Sequence, residues 1–270
     1  MSQTCRICVF PGAQNLPLWY MQKNFPETML DLQYTSSRDE QFQLLNDRQV
    51  NLIYTAPDNL LQDDAKDIEM IHPAAMMPLY LMATPGFRER QRLAVDHPAS
   101  GYALIAYQAV QSIGLSLQDI EVVSAGGTRQ RYEAMLHGKA ELGLLHAPFS
   151  NLAQANDWFI LAAPSLDDPL LVAACLSEHR HSPLIENFLN QYQQAVEKIV
   201  QPETMETCEQ LLQQHMSNLS PSSIQSIAAD IRSQLERLPT TLNSDEQSAW
   251  LNRLWERRKH AKWPERIAHY

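Results

Sequence analysis

Two short turns in the middle of the chain carry residue types suited to holding a small charged molecule. Asp96-His97-Pro98-Ala99-Ser100-Gly101 and Gly126-Gly127-Thr128 each follow a short apolar run and precede residues with helical spacing, and a third turn opens at His146. Small residues at such turns let main-chain N–H groups approach an anion, and the Ser100 and Thr128 hydroxyls add donors. His146 has three readings: a hydrogen bond to a ligand, a general acid or base near neutral pH, or a turn histidine satisfied by the protein. Arg131, one turn into its helix, either reaches an anion or pairs with a carboxylate such as Asp119. Cys5-Arg6-Ile7-Cys8 has CxxC spacing, but in a strand residues i and i+3 point to opposite faces, and no second pair completes a zinc site. His179 and His181 precede Ser182-Pro183 with no third ligand nearby in sequence. No metal or cofactor is expected.

The elements that position these turns follow from periodicity. Leu93–Val95, Ile120–Val123 and Leu142–Leu145 read as strands. Tyr102–Ile113, closed by Gly114 as its C′ residue, and Thr128–His137 read as helices. This alternation predicts a βαβαβ lobe with a parallel sheet, whose ligand-facing turns lie at the carboxyl ends of the strands. Residues 5–90 repeat the plan: strands at Arg6–Phe10, Leu30–Tyr34, Val50–Tyr54, Ile68–Ile71 and Pro78–Ala83, with a turn expected at His72–Ala75. The unbroken apolar run Leu170–Leu176 predicts a strand buried on both faces. From Ser182 onward the pattern is helical, with start signals at Ser220-Pro221 and Asn243-Ser244.

With 270 residues, 44 % hydrophobic and 19 % charged, the chain has the composition of an ordinary globular protein. A formal net charge of −10 argues against nucleic-acid binding, which needs a cationic surface. No apolar run approaches the roughly 18 residues of a membrane span. Four cysteines in a chain of this length suggest no disulfide framework. The last stretch, Trp250–Tyr270, has six Lys/Arg against two Glu and three tryptophans. It reads as a helix whose tryptophans pack on the first lobe, or as a surface for a partner or membrane.

The segments PGAQNLPLWYMQKNF, QFQLLNDRQVNLIYTAPDNLL, LAVDHPASGYALIAYQAVQSIGL and GGTRQRYEAMLHGKAELGLLHAPF together resemble the type II periplasmic-binding-protein fold. The likeness is to the nitrate/sulfonate/taurine and thiamine-precursor group of ABC-transporter substrate-binding proteins, over roughly residues 5–235. It implies an α/β, two-lobed fold with a helical C-terminal region: lobe I from residues 1–90 and 163–270, lobe II from 91–162. A small organic ligand, anionic or aromatic, is expected in the inter-lobe cleft. The resemblance implies ligand contacts at Gln14, Asn15, Tyr54, Thr55, Met77, Ser100, Gly101, Gly127, Thr128 and His146. Trp19, Met76, Tyr80, Tyr102 and Phe149 add candidate walls. Asn46-Asp47-Arg48 stands where the group usually has a glycine. The partners expected are a small molecule and an ABC-transporter permease, with membrane contact only through a partner or the basic C-terminal helix. No secretory leader is visible, so the expected location is periplasmic if one has been removed and cytoplasmic otherwise. The alternative functions are a cytoplasmic lyase- or synthase-type enzyme on the same fold, with His146, Cys8 and His72 as first candidates for chemistry, or a ligand-sensing regulator.

Overall fold

The structure, a computed structural model, describes residues 4–27, 29–75, 78–88, 91–164, 169–238, 244–259, 264 and 267–268. The chain divides into two compact units. Unit 1 is Met1–Met77 with Asp168–Asn252, and unit 2 is Pro78–Asp167 with Arg253–Tyr270. In chain order the strands are β1 (Cys5–Val9), β2 (Leu30–Tyr34), β3 (Leu52–Thr55), β4 (Ile68–Ala75), β5 (Tyr80–Ala83), β6 (Arg92–Val95), β7 (Glu121–Ser124), β8 (Leu142–Leu145), β9 (Phe159–Ala162), β10 (Leu171–Leu176) and β11 (Ile267–Ala268). The helices are α1 (Leu16–Asn24), α2 (Arg38–Asn46), α3 (Gly101–Ser112), α4 (Thr128–Leu136), α5 (Phe149–Ala155), α6 (Pro183–Ile199), α7 (Met205–His215), α8 (Pro221–Leu235) and α9 (Ser244–Lys259).

Unit 1 is built on a sheet of order β2-β1-β3-β10-β4. β1 pairs parallel with β2 and β3, while β10 runs antiparallel between β3 and β4. All six residues of β10 are buried, as an all-apolar strand covered on both faces requires. Cys8, Phe42, Leu45, Ile53 and Ala174 share one core cluster on this sheet. Helices α6 and α8 are capped by serines, of which Ser220 lies in an expected start signal: Ser182 Oγ accepts from Ile185 N–H and Ser220 Oγ from Ser223 N–H. Arg48, which ends α2 at the C′ position, has φ of 55° in the left-handed region that a glycine would fill without strain.

Unit 2 carries a sheet of order β11-β7-β6-β8-β5-β9. The βαβαβ core is as expected: β6 pairs parallel with both β7 and β8, and α3 and α4 connect them. Strands β8, β5 and β9 continue antiparallel. Gly143 in β8 faces α4: a Cβ there would lie 2.6 Å from Met135 Sδ, so the Met135 side chain would have to shift. Among the described residues no helix is long and apolar enough to cross a membrane.

Three expectations change. β4 continues through Ala75, so His72 and Pro73 lie in a strand rather than a turn, paired with Ala173 and Val172. β5 pairs with β8 and β9, which moves the unit boundary from residue 90 to Met77/Pro78. The C-terminal residues 253–270 belong to unit 2, because β11 adds to β7. Of the three C-terminal tryptophans, Trp250 is buried, Trp255 is exposed and Trp263 lies outside the described residues.

Candidate functional site

At the carboxyl ends of β6, β7 and β8 the sequence-predicted turns of unit 2 come together through main-chain and side-chain bonds. Ser100 Oγ caps α3 by accepting from Ala103 N–H at 2.9 Å, and its own proton goes to Asp96 Oδ1. Asp96 O in turn accepts from Gly126 N–H at 3.3 Å and Ser124 Oγ at 3.2 Å, which ties the first turn to the second. Gly126 adopts a φ of 97°, so a side chain at this position would be strained. Gly127 then precedes α4 with no side-chain cap. The first N–H groups of α4, at Thr128 to Gln130, therefore point out at the rim without a helical partner.

Arg131 is the main residue absent from the expected ligand set. It is 3 % exposed, and its guanidinium is spread over three neutral acceptors. Nε donates to Leu144 O at 3.0 Å, Nη1 to Gly126 O at 3.1 Å and Nη2 to Thr128 Oγ1 at 2.8 Å. The Tyr102 ring lies 5.7 Å from the guanidinium carbon, within cation–π range. No carboxylate of a described residue forms an ion pair with it, and Asp119, the partner considered from sequence, plays no such part. Burial pushes the Arg131 pKa down, against the opposing pull of Asp96 and Tyr102. The sequence signal for it was an arginine three residues after the small-residue turn.

His146 has both nitrogens engaged. Nδ1–H donates to Ala147 O at 2.8 Å, which leaves Nε2 as the acceptor for Thr128 Oγ1–H at 2.7 Å. Thr128 Oγ1 already accepts from Arg131, so a directed chain runs Arg131, Thr128, His146, Ala147. Burial, with Arg131 adding to it, pulls the His146 pKa down to about 4. This neutral imidazole orients Thr128.

In unit 1 the expected residues are packed more tightly. Gln14 and Asn15, in the short helical turn after β1, both donate their amide nitrogens to Phe10 O, at 3.1 and 2.8 Å. Gln41 joins the ends of β1 and β3 by donating to Cys8 O at 3.3 Å and Tyr54 O at 2.9 Å. The Tyr54 side chain is buried in the core, with its hydroxyl 3.3 Å from His72 Nε2, and Thr55 Oγ1 accepts from Asn59 Nδ2 at 2.9 Å. Met76 and Met77 lie outside the described residues. Trp19 is also core: Nε1–H donates to Tyr34 OH at 2.8 Å and its ring stacks on His215 at 4.0 Å.

The other two candidates for chemistry are poorly suited to it. Cys8 is fully buried, and burial, with Glu40 adding to it, pushes its thiol up to about 11. His72 is equally buried, donates Nδ1–H to Pro73 O, and is pulled down to about 4 by burial. Both belong to unit 1, whereas His146 belongs to unit 2. Among the described residues no group of three His, Cys, Asp or Glu side chains is placed to hold a metal ion.

No family model matches the chain, and no curated protein matches it by sequence. Solved structures do match by fold. The ligand-binding component of an ABC-type import system from Staphylococcus aureus, solved with zinc bound, superposes with a TM-score of 0.77 at 13 % identity, covering 97 % of this chain and 94 % of its own. The periplasmic nitrate-binding protein of Synechocystis superposes at 0.72 and 10 % identity, covering 94 % and 88 %. The periplasmic aliphatic sulphonate binding protein of Escherichia coli superposes at 0.68 and 15 % identity, covering 98 % and 96 %. With both sheets, their helices and nearly the whole length accounted for, the chain has the α/β fold of the periplasmic binding proteins.

Proposed function

We propose that this protein reversibly binds a small organic anion, as the substrate-binding component of an ABC-type importer, without covalent chemistry. One observation carries the reading: the guanidinium of Arg131 is buried beside the uncapped N-terminus of α4, hydrogen-bonded to three neutral acceptors and, among the described residues, to no carboxylate, with Asp96 acting on it only from a distance. A buried charge without a directly paired counter-charge is unfavourable, and an anion at this rim would meet both the guanidinium and the helix N–H groups. Ser100, Gly101, Gly127 and Thr128 are the proposed contacts, with His146 behind Thr128. The fold neighbours that bind nitrate and sulphonates support an anionic ligand, and their periplasmic location supports export of this chain with a permease as partner.

A panel of nitrate, methanesulfonate and benzoate tests the reading by thermal denaturation. A ligand at about 100 times its Kd stabilises the native state by about 2.7 kcal/mol, an easily read rise in Tm. The rise is expected for at least one anion in the wild type and should vanish in Arg131→Met. If no anion raises the Tm, or if the variant responds as the wild type does, the proposal fails.

A further inference from the structure

We infer that the C-terminal segment is a clasp on the anion rim of unit 2, with Arg258 as the positioning residue for the Asp96–Gly101 turn. The inference rests on the anion reading of that rim. Two separate contacts support it. β11 lies parallel on β7, with Ile267 opposite Val122 and Ala268 opposite Val123, and so covers what would be the free edge of the sheet. Arg258, at the end of α9, donates from Nη2 to Ala99 O at 2.8 Å.

Ala99 immediately precedes the Ser100 cap, so its carbonyl fixes the plane of the peptide that enters α3. The rest of the turn is held from within unit 2: Tyr107 OH donates to Pro98 O at 2.9 Å, Ala99 N–H to His97 Nδ1 at 3.2 Å and Ser100 N–H to His97 O at 2.9 Å. Arg258 reaches this turn from outside residues 78–167. A charge-assisted bond from a planar guanidinium has the directionality to set a carbonyl's orientation. Segment and turn are about 160 residues apart in sequence, and the clasp joins them.

Full-length Arg258→Ala, Arg258→Lys and Ile267→Pro test this by hydrogen exchange read over residues 97–105 and 121–125, with β1 as control. Arg258→Ala should speed exchange at 97–105 by roughly three- to tenfold, with Lys partly restoring protection and β1 unchanged. Ile267→Pro, which removes a main-chain donor, should speed exchange at 121–125. The Kd for methanesulfonate or nitrate, by calorimetry, should rise by a similar factor in Arg258→Ala and be partly rescued by Lys. Exchange at 97–105 that matches wild type in Arg258→Ala overturns the clasp whether or not any anion binds. Faster exchange with an unchanged Kd overturns the positioning role. A wild type that binds neither anion overturns that role together with the anion reading, while the exchange rates still decide the clasp.

Discussion

Arg131 and His146 flank Thr128 in one hydrogen-bond chain, and their electrostatics oppose each other. A protonated His146 would place a second buried cation against Thr128 and Arg131, so the imidazole is held neutral. His72 is held neutral by burial among Tyr54, Phe188 and Tyr192. The folded values of about 4 for both lie below the roughly 6.5 of an unfolded histidine. Between those limits the unfolded chain binds more protons than the native one. The stabilisation is therefore complete above about pH 6.5 and is lost as the pH falls toward 4, by about 1 to 3 kcal/mol for each histidine. Urea unfolding between about pH 7.5 and about pH 4.5 should show this loss, with a shallower slope in His146→Gln. Equal slopes in the two proteins would refute the burial argument for His146.

At the scale of elements, the end of α2 shows a local rule being broken at a cost. Arg48 sits at φ 55°, where a Cβ is penalised and glycine is not. Its side chain makes one exposed ion pair, Nη2 to Glu178 Oε1 at 2.8 Å, with both partners more than half exposed. Such pairs contribute little. Arg48→Gly should therefore raise the stability by about 0.5 to 1 kcal/mol, seen as a higher urea midpoint with unchanged m-value. A lower midpoint would mean that the ion pair outweighs the strain. In β8 the demand is milder: a side chain at Gly143 would displace Met135 of α4, while Arg131 of the same helix donates Nε–H to Leu144 O.

For the whole molecule, the chain passes between its two units three times, at Met77/Pro78, Asp167/Asp168 and Asn252/Arg253. Unit 2 is consequently not a contiguous piece of sequence. A fragment of residues 78–167 would leave β7 as a bare edge strand, and such edges pair with other chains. That fragment is expected to self-associate in analytical ultracentrifugation, whereas 78–167 joined by a flexible linker to 253–270 should be monomeric. If both fragments behave alike, β11 is not what protects the edge.

What the sequence determined by itself was local. The order of strands and helices, the start of α8 at Ser220, a capped turn before α3, and the glycines that end α3 and open the second rim turn all follow from side-chain period and backbone sterics within a few residues. The rim turns of unit 2 were legible for the same reason, since small residues and hydroxyls before a helix mark where N–H groups are free. Tertiary structure decided what depends on partners distant in the chain. His72-Pro73 resembles a turn until β10 pairs alongside it and extends β4. β5 carries no mark of which sheet it joins until β8 and β9 flank it. The basic C-terminal stretch has an amphipathic pattern compatible with several surfaces, and only the pairing of β11 with β7 assigns it to unit 2. Arg131 is an ordinary helix arginine in sequence. Its burial, with three neutral hydrogen-bond acceptors and no ion pair among the described residues, arises from the packing of α4 on β8, and the anion-binding role proposed for it rests on that burial.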